Sequence, residues 1–118
     1  MHREMEDAGY NDMERLAMAD PVLYYGRYLS ARTRQYFELT VTPVIAAALL
    51  WFRQNDSKLV LDLGCGLAMQ SIILAALGKE VIAVDLRPES IELATKRKQY
   101  YERLLGRSLA IDFVCGDF

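Results

Sequence analysis

Two short groups of residues in the middle of the chain have the types and spacing needed to bind a nucleotide. Gly64-Cys65-Gly66 follows the apolar run Leu59–Leu63, and Asp85 ends a second apolar run about twenty residues later. Two glycines let the backbone turn sharply and leave room for a ligand against the main chain. An acid at the next strand end can accept hydrogen bonds from ribose hydroxyls. The spacing therefore predicts a nucleotide site formed by this turn, the free N–H groups of the following helix and Asp85.

The elements that position these residues form a strand–helix–strand unit. Leu59–Leu63 is a short apolar run, typical of a strand that is buried on both faces. An apolar helical pattern runs from Met69 to Gly78, and Glu80–Val84 predicts a second strand that leads into Asp85. In such a unit both strands end at the same edge of a parallel sheet, where ligands bind.

After Asp85 the chain continues with a second helix and a third strand. Pro88 suits the first turn of this helix, which extends to Gly106. Ser108–Val114 predicts the third strand, and right-handed crossovers then give a parallel sheet in the order 3-2-1 with helices on both faces. The predicted fold class is α/β: a three-layer α/β/α Rossmann-like sheet, cut short after its third strand and preceded by N-terminal helices.

The details of the turn separate two classes of cofactor. The dinucleotide fingerprint G-x-G-x-x-G, begun at Gly64, requires a third glycine where Met69 stands. A large side chain there hinders the approach of a pyrophosphate. The segment DLGCGLA, residues 62–68, instead resembles the D-x-G-x-G-x-G loop of class I S-adenosylmethionine-dependent methyltransferases, with Ala68 where the last glycine usually stands.

The resemblance extends over about Leu59 to Phe118, half of the chain, because VIAVDLRPESIELA is similar to the family's second motif and FVCGDF to its third. It implies the N-terminal cofactor-binding half of a methyltransferase, with S-adenosylmethionine as cofactor and S-adenosylhomocysteine as product. The cofactor-binding residues that it implies are Asp62, Gly64, Cys65, Gly66, Ala68, Asp85, Leu86, Asp117 and Phe118.

The resemblance also implies a role for several of these residues. Asp85 would bind both ribose hydroxyls, Leu86 would lie on the adenine face, and Asp117 would accept from the adenine amino group. The Gly64–Gly66 turn would pass under the methionine part of the cofactor. Taken singly, Asp62 could simply cap the turn and Asp85 could cap the Pro88 helix, but the three motifs in one order favour the cofactor site.

Composition limits the other classes of function. The 118 residues carry a formal net charge of −2, with 53% hydrophobic and 25% charged residues, which is typical of one ordinary globular domain. This balance favours neither nucleic acid nor an anionic membrane as partner. Basic residues towards the end of the Pro88 helix leave a nucleic-acid surface open, but the helix dipole accounts for their placement. They are Lys96, Arg97, Lys98, Arg103 and Arg107.

Targeting and redox signals point to the cytoplasm. The apolar run Val44–Phe52 is too short to span a bilayer, and no basic-then-apolar leader opens the sequence. Cys65 and Cys115 lack metal-ligand spacing, and the only histidine is His2. We therefore expect reduced cytoplasmic thiols and no metal site.

The first half of the chain is predicted to be helical. Residues 1–19 are predicted to form an acidic lead-in that is mobile or weakly helical, and residues 20–56 to contain three helices that begin at Pro21, Ala31 and Val44. The third is apolar nearly all round, so we expect it to be packed within a single domain of residues 20–118, whose βαβαβ unit covers residues 57–118. Tyr24, Tyr28 and Tyr36 either close the helical layer over the sheet or cover the cofactor or acceptor site.

The favoured function is methyl transfer from the sulfonium of the cofactor to an unidentified acceptor. No catalytic base can be named, and one is needed only if the acceptor arrives protonated. A non-catalytic cofactor-binding or assembly module and, less favoured, an NAD-dependent oxidoreductase stay open as alternatives. Because the first strand would form a hydrophobic open edge, we also expect self-association or marginal stability.

Overall fold

The computed structural model describes residues 2–15 and 42–117, and the chain divides into two compact units, Met1–Gln54 and Asn55–Phe118. The first unit contains helix α1 (His2–Asp7), a helical turn over 12–15 and helix α2 (Thr42–Gln54). The second contains β1 (Leu59–Leu63), α3 (Met69–Ala76), β2 (Glu80–Asp85), α4 (Pro88–Leu105) and β3 (Ile111–Cys115). The predicted helices from Pro21 and Ala31, the three tyrosines Tyr24, Tyr28 and Tyr36, and Phe118 lie outside the described residues.

Local hydrogen bonds organise residues 2–15. The hydroxyl of Tyr10 donates to the Glu4 carboxylate at 3.0 Å, and both side chains are buried. Asn11 and Glu14 form a reciprocal capping box: each backbone N–H donates to the other side chain at 2.9 Å. The described part of the acidic segment thus contains short helical structure, one of the two alternatives that the sequence left open.

Helix α2 begins at Thr42, with Pro43 in its first turn, close to the predicted start. Leu50 and Trp51 are nevertheless 53% and 58% exposed. The expectation that this helix is packed within the domain is therefore wrong for these two side chains. An apolar helix surface indicates only that burial would be favourable, and does not define which element covers it.

The three strands form a parallel sheet in the predicted order, with β2 between β1 and β3. β3 begins at Ile111, three residues later than predicted. The reason is the end of α4: Gly106 adopts a left-handed conformation with φ of 65°, and the Leu109 N–H donates to the Glu102 carboxylate at 2.8 Å. Residues 108–110 are therefore used to return from the helix to the sheet.

The two crossover helices cover one face of this sheet. Val81, Ala83 and Ile111 are buried on that face, and both α3 and α4 contact β2 and β3. Two successive right-handed crossovers in the same direction place both helices on one side. The sequence predicted helices on both faces, and among the described residues these two crossovers supply only one of the two helical layers. The opposite face carries Leu59, Leu61 and Leu63, each about half exposed, and among the described residues β1 has a strand partner only in β2.

No helix in the described ranges combines the length and the apolar character that crossing a bilayer requires.

Candidate functional site

The glycine turn stays bound to the sheet after β1 ends. The N–H groups of Gly64 and Cys65 both donate to the carbonyl oxygen of Val84, each at 2.9 Å. The turn therefore lies directly beside the last residue of β2, which is Asp85. These two N–H groups therefore donate within the protein, whereas the free N–H groups that the sequence predicts are those of the following helix.

The conformation of the turn explains why glycines are needed in it. Gly64 and Gly66 have φ values of 74° and 52°, a region that residues with a side chain rarely adopt. Ala68 has a φ of 57° and is fully buried, so alanine here adopts the backbone conformation of the glycine that it replaces. Its N–H donates to the Cys65 carbonyl at 2.8 Å, which closes the turn in front of α3.

Asp85 joins the glycine turn to the start of the next helix. One carboxylate oxygen, Oδ2, accepts from the Gly66 N–H at 2.9 Å, and the other, Oδ1, accepts from the Arg87 N–H at 3.0 Å. Burial alone would raise the pKa of Asp85, but these two backbone donors and the nearby Arg87 guanidinium outweigh it and lower the pKa below its ordinary value. Asp85 is therefore an ionised acceptor near neutral pH.

Asp62 is bound to the helix that follows the turn. The hydroxyl of Ser71, a fully buried residue of α3, donates to the Asp62 carboxylate at 2.5 Å. This contact fixes the start of α3 against the end of β1. The sequence analysis did not identify Ser71 as a contact of Asp62. A serine within an otherwise apolar helical stripe, nine residues after the acid, could have indicated it.

The pKa of the Cys65 thiol depends on burial and on the charges near the turn. Burial, together with the negative charges of Asp62 and Asp85, raises the pKa of its thiol to about 11. The thiol is therefore protonated at neutral pH and is not a nucleophile. The turn lies in a region of negative potential produced by two carboxylates.

The remaining predicted residues lie at the same edge of the sheet, as far as the structure describes them. The Gly116 N–H donates to the Asp85 carbonyl at 3.0 Å, so the loop that carries Asp117 begins beside the end of β2. Leu86, directly after Asp85, is 60% exposed, and Asp117 is exposed as well. Phe118 lies outside the described residues.

Several basic residues of α4 have internal structural contacts. Arg97 is fully buried and donates to the backbone carbonyl of Leu67, within the glycine turn. Lys98 donates to the carbonyl of Ile111 at 3.0 Å, and Arg107, just after the helix, donates to that of Ala76. In the sequence these residues form one basic cluster, but three of its members each donate a hydrogen bond to a backbone carbonyl. Within the described part of the chain, no group of three or more potential metal ligands comes together.

The chain is similar to several known proteins. The family described as "Methyltransferase domain" matches residues 60–118. A cypemycin N-terminal methyltransferase from a Streptomyces species is 32% identical over 81 residues, which is 69% of this chain and 33% of that protein. The crystal structure of the PH0226 protein from Pyrococcus horikoshii OT3 is 28% identical, with a TM-score of 0.45, over 75% of this chain and 36% of the other. The chain thus spans about a third of the length of both relatives.

Proposed function

Because the chain belongs to the methyltransferase-domain family, we propose that it is the cofactor-binding portion of an S-adenosylmethionine-dependent methyltransferase. The observation that carries this proposal is the position of Asp85, fixed by two backbone N–H groups at the edge of the sheet beside the glycine turn.

The hydrogen bonds of Asp85 leave it able to bind a ribose. An ionised carboxylate has about four lone-pair sites, two on each oxygen. One site on Oδ2 is used by the Gly66 N–H. Oδ1 accepts from the Arg87 N–H and also lies 3.5 Å from Nε of the largely exposed Arg87 side chain, which a ribose hydroxyl would displace from that oxygen. Two neighbouring hydroxyls, O2′ and O3′, fit this pair of acceptors. The lowered pKa of Asp85 keeps these hydrogen bonds charge-assisted and therefore strong.

The charge around the turn favours a cation over a pyrophosphate. S-adenosylmethionine has a positively charged sulfonium, whereas a nicotinamide dinucleotide would bring a negatively charged pyrophosphate to the same turn. The carboxylates of Asp62 and Asp85 lie close enough to the Cys65 thiol to raise its pKa, and both would repel a pyrophosphate at this turn. The N–H groups of Gly64, Cys65 and Gly66 also bind protein acceptors. An NAD-dependent oxidoreductase is therefore the weaker hypothesis.

The adenine would lie beyond the ribose. Leu86 offers an exposed apolar side chain directly after Asp85. Asp117 follows Gly116, whose backbone is bound to that of Asp85, and we assign it the adenine amino group. Phe118 would complete this end of the site.

Methyl transfer makes modest demands on acid–base groups. The thioether that leaves is neutral, so the protein must chiefly align the acceptor with the methyl and exclude water. S-adenosylmethionine supplies the activated methyl when it is bound. The relative's name specifies an N-terminal methyltransferase, so peptides with a free α-amino group are the first acceptor class to test. An ammonium acceptor would need a base to remove its proton.

Calorimetric titration of the purified chain tests the cofactor. We expect saturable binding of S-adenosylmethionine and S-adenosylhomocysteine, and none of NAD. Adenosine is the matched partial ligand, and weaker but measurable binding would locate the affinity at the ribose and adenine. Binding of NAD in competition with S-adenosylhomocysteine, or no binding of either sulfur ligand by a folded chain, would reject the proposal.

A non-catalytic binding or assembly module is the second candidate, favoured by the outer edge of β1, which has no strand partner among the described residues. Transfer of a labelled methyl group to an acceptor panel separates the two candidates. Cofactor binding without transfer, also in the presence of added partner chains, would support the module.

A further inference from the structure

We propose that Arg97 is a positioning residue that keeps the glycine turn in its ligand-binding conformation; this inference rests on the proposed function. Arg97 is a fully buried residue of α4, and its guanidinium donates to the carbonyl of Leu67. Leu67 stands between Gly66, which donates to Asp85, and the left-handed Ala68. The contact thus reaches the centre of the turn from a helix that carries none of the predicted cofactor-binding residues.

The direction of α4 explains how Arg97 reaches the turn. The helix begins at Pro88, two residues after Leu86, and runs back from the carboxyl edge of the parallel sheet. Side chains on a helix point towards its N-terminus. A long side chain in the middle of α4 is therefore directed back to the edge where the turn lies. Its length and forked donors allow it to bind a backbone carbonyl there.

The turn needs support from that side. Three of its five residues, Gly64, Gly66 and Ala68, have positive φ. Such conformations persist only where surrounding contacts determine them, above all at a residue with a side chain such as Ala68. The contacts with β2 fix the first part of the turn, through the Val84 carbonyl and the Asp85 carboxylate. Arg97 fixes the part that leads into α3.

Other roles for Arg97 fit its surroundings less well. A fully buried guanidinium cannot bind a nucleic acid or an acidic partner at the surface. Its carbon Cζ lies 6.0 Å from the centre of the Tyr101 ring, which adds a cation–π contact on α4 itself. Burying a charge is costly unless it is hydrogen-bonded, so the side chain has little freedom to leave the Leu67 carbonyl.

Two variants and one matched control test the proposal in the 118-residue chain. Arg97→Met removes the donors, Arg97→Lys keeps the charge without the fork, and Lys98→Met removes the neighbouring tether of α4 to Ile111, which does not touch the turn. Affinity for S-adenosylhomocysteine is measured by calorimetry, under conditions in which near-UV circular dichroism shows each protein to be folded. Arg97→Met should weaken binding about tenfold or more, Arg97→Lys should restore part of the loss, and Lys98→Met should change affinity less than about twofold.

Amide hydrogen exchange in the ligand-free chain gives an independent readout. Arg97→Met should accelerate exchange at Gly66 and Ala68 but not at Val81, whose N–H donates within the sheet; Lys98→Met should leave Gly66 and Ala68 unchanged. Unchanged exchange at the turn, or unchanged affinity, in folded Arg97→Met would overturn the proposal, as would an equal loss in Lys98→Met. If Arg97→Met does not fold, the same comparisons with Arg97→Lys decide. If the wild-type chain binds no cofactor, the proposed function fails, and exchange still decides whether Arg97 fixes the turn.

Discussion

The Asp85 carboxylate accepts a hydrogen bond from the Gly66 N–H at 2.9 Å, although 19 residues separate them in the sequence. The glycine turn and the acid at the end of β2 are therefore one connected structure in the ligand-free chain. A ribose that binds to Asp85 meets a carboxylate whose orientation is already fixed, which lowers the entropic cost of binding.

Replacing Asp85 by asparagine should greatly weaken cofactor binding. In Asp85→Asn, the NH₂ of the amide would face one of the two backbone donors, Gly66 or Arg87, so that one hydrogen bond is lost. The substitution would also remove the negative charge that strengthens hydrogen bonds from the ribose hydroxyls. Hydrogen bonds to a charged group contribute about 1.5–3 kcal/mol, so we expect affinity for S-adenosylhomocysteine to fall by about 10- to 100-fold in calorimetry.

Asp112→Asn is the control for this prediction. Asp112 is an exposed acid on β3 that pairs with Ile82, on the sheet face opposite to Asp85. It changes the net charge equally and should leave affinity unchanged. Equal affinities of Asp85→Asn and the wild-type chain would contradict the ribose assignment.

The lowered pKa of Asp85 predicts a loss of stability in acid. A carboxyl group whose pKa is lower in the folded chain than in the unfolded chain stabilises the folded chain at any pH above its ordinary pKa, here 3.8. This contribution is lost as the pH falls through the pKa of the folded chain. The free energy of unfolding of the wild-type chain should therefore fall towards that of Asp85→Asn below about pH 4. Between pH 5 and 8 the difference between them should be constant. Urea unfolding at a series of pH values checks this, and a difference that grows on acidification would contradict it.

The sequence predicted the positions of the site better than its connections. The strands, the parallel order and the turn follow from apolar periodicity and glycine spacing, which are local properties. The contacts of Ser71 with Asp62 and of Arg97 with Leu67 join residues 9 and 30 positions apart. Such contacts depend on how the helices pack, and neither periodicity nor composition determines that.

Two other outcomes have the same physical origin. The exposure of Leu50 and Trp51 on α2 was not predictable, because an apolar surface does not identify its cover. The late start of β3 arises from a side-chain contact between Glu102 and the Leu109 N–H, which a strand pattern cannot reveal.

Chemical labelling should distinguish the two cysteines. Cys115 is exposed, whereas Cys65 is buried and its pKa is raised to about 11. Since the thiolate is the reactive form, iodoacetamide at pH 8 should modify Cys65 at least about 50-fold more slowly than Cys115. Asp62→Asn should accelerate the modification of Cys65, because it removes one of the negative charges that raise the pKa of this thiol. The rates follow from mass spectrometry of timed digests, and equal rates in the folded chain would contradict the buried, protonated thiol.

The same shift predicts the alkaline behaviour of the chain. A pKa that is higher in the folded state stabilises the protein below the ordinary value, here 9.0, and this contribution is lost as the pH rises towards 11. Cys65→Ser should show a smaller alkaline decline in the free energy of unfolding than the wild-type chain.

Glycine at position 68 should be tolerated, unlike glycine at another buried alanine. Ala68→Gly relieves a left-handed backbone that costs about 1–2 kcal/mol, while it loses a buried methyl worth about 0.8 kcal/mol and gains chain entropy in the unfolded state. We expect the free energy of unfolding to change by less than about 1 kcal/mol.

Ala94 provides the matched comparison, because it is equally buried but lies in the middle of α4. Ala94→Gly should cost about 1.5–2 kcal/mol, since nothing offsets the lost methyl and helix propensity. Ala68→Val should cost more than about 2 kcal/mol, because a β-branched residue rarely adopts positive φ. Urea denaturation measures all three, and a larger loss in Ala68→Gly than in Ala94→Gly would contradict the strain assigned to Ala68.

The exposed face of β1 predicts that purified chains associate with one another. Leu59, Leu61 and Leu63 are 48–58% exposed on one sheet face, and within the described residues the outer edge of β1 has no strand partner. An apolar open edge pairs readily with a second copy, and a charge on it opposes such pairing.

Sedimentation equilibrium should show concentration-dependent oligomers that Leu61→Lys shifts towards monomer. Leu104→Lys, a change at a similarly exposed leucine of α4, should not shift them. A wild-type chain that stays monomeric at about 100 μM, within the μM–mM range in which exposed strand edges associate, would contradict this prediction. Because Leu61 is already exposed, Leu61→Lys should leave cofactor affinity and the free energy of unfolding of the monomer nearly unchanged. A lower mass in solution without a change in these two quantities would identify β1 as the contact between chains.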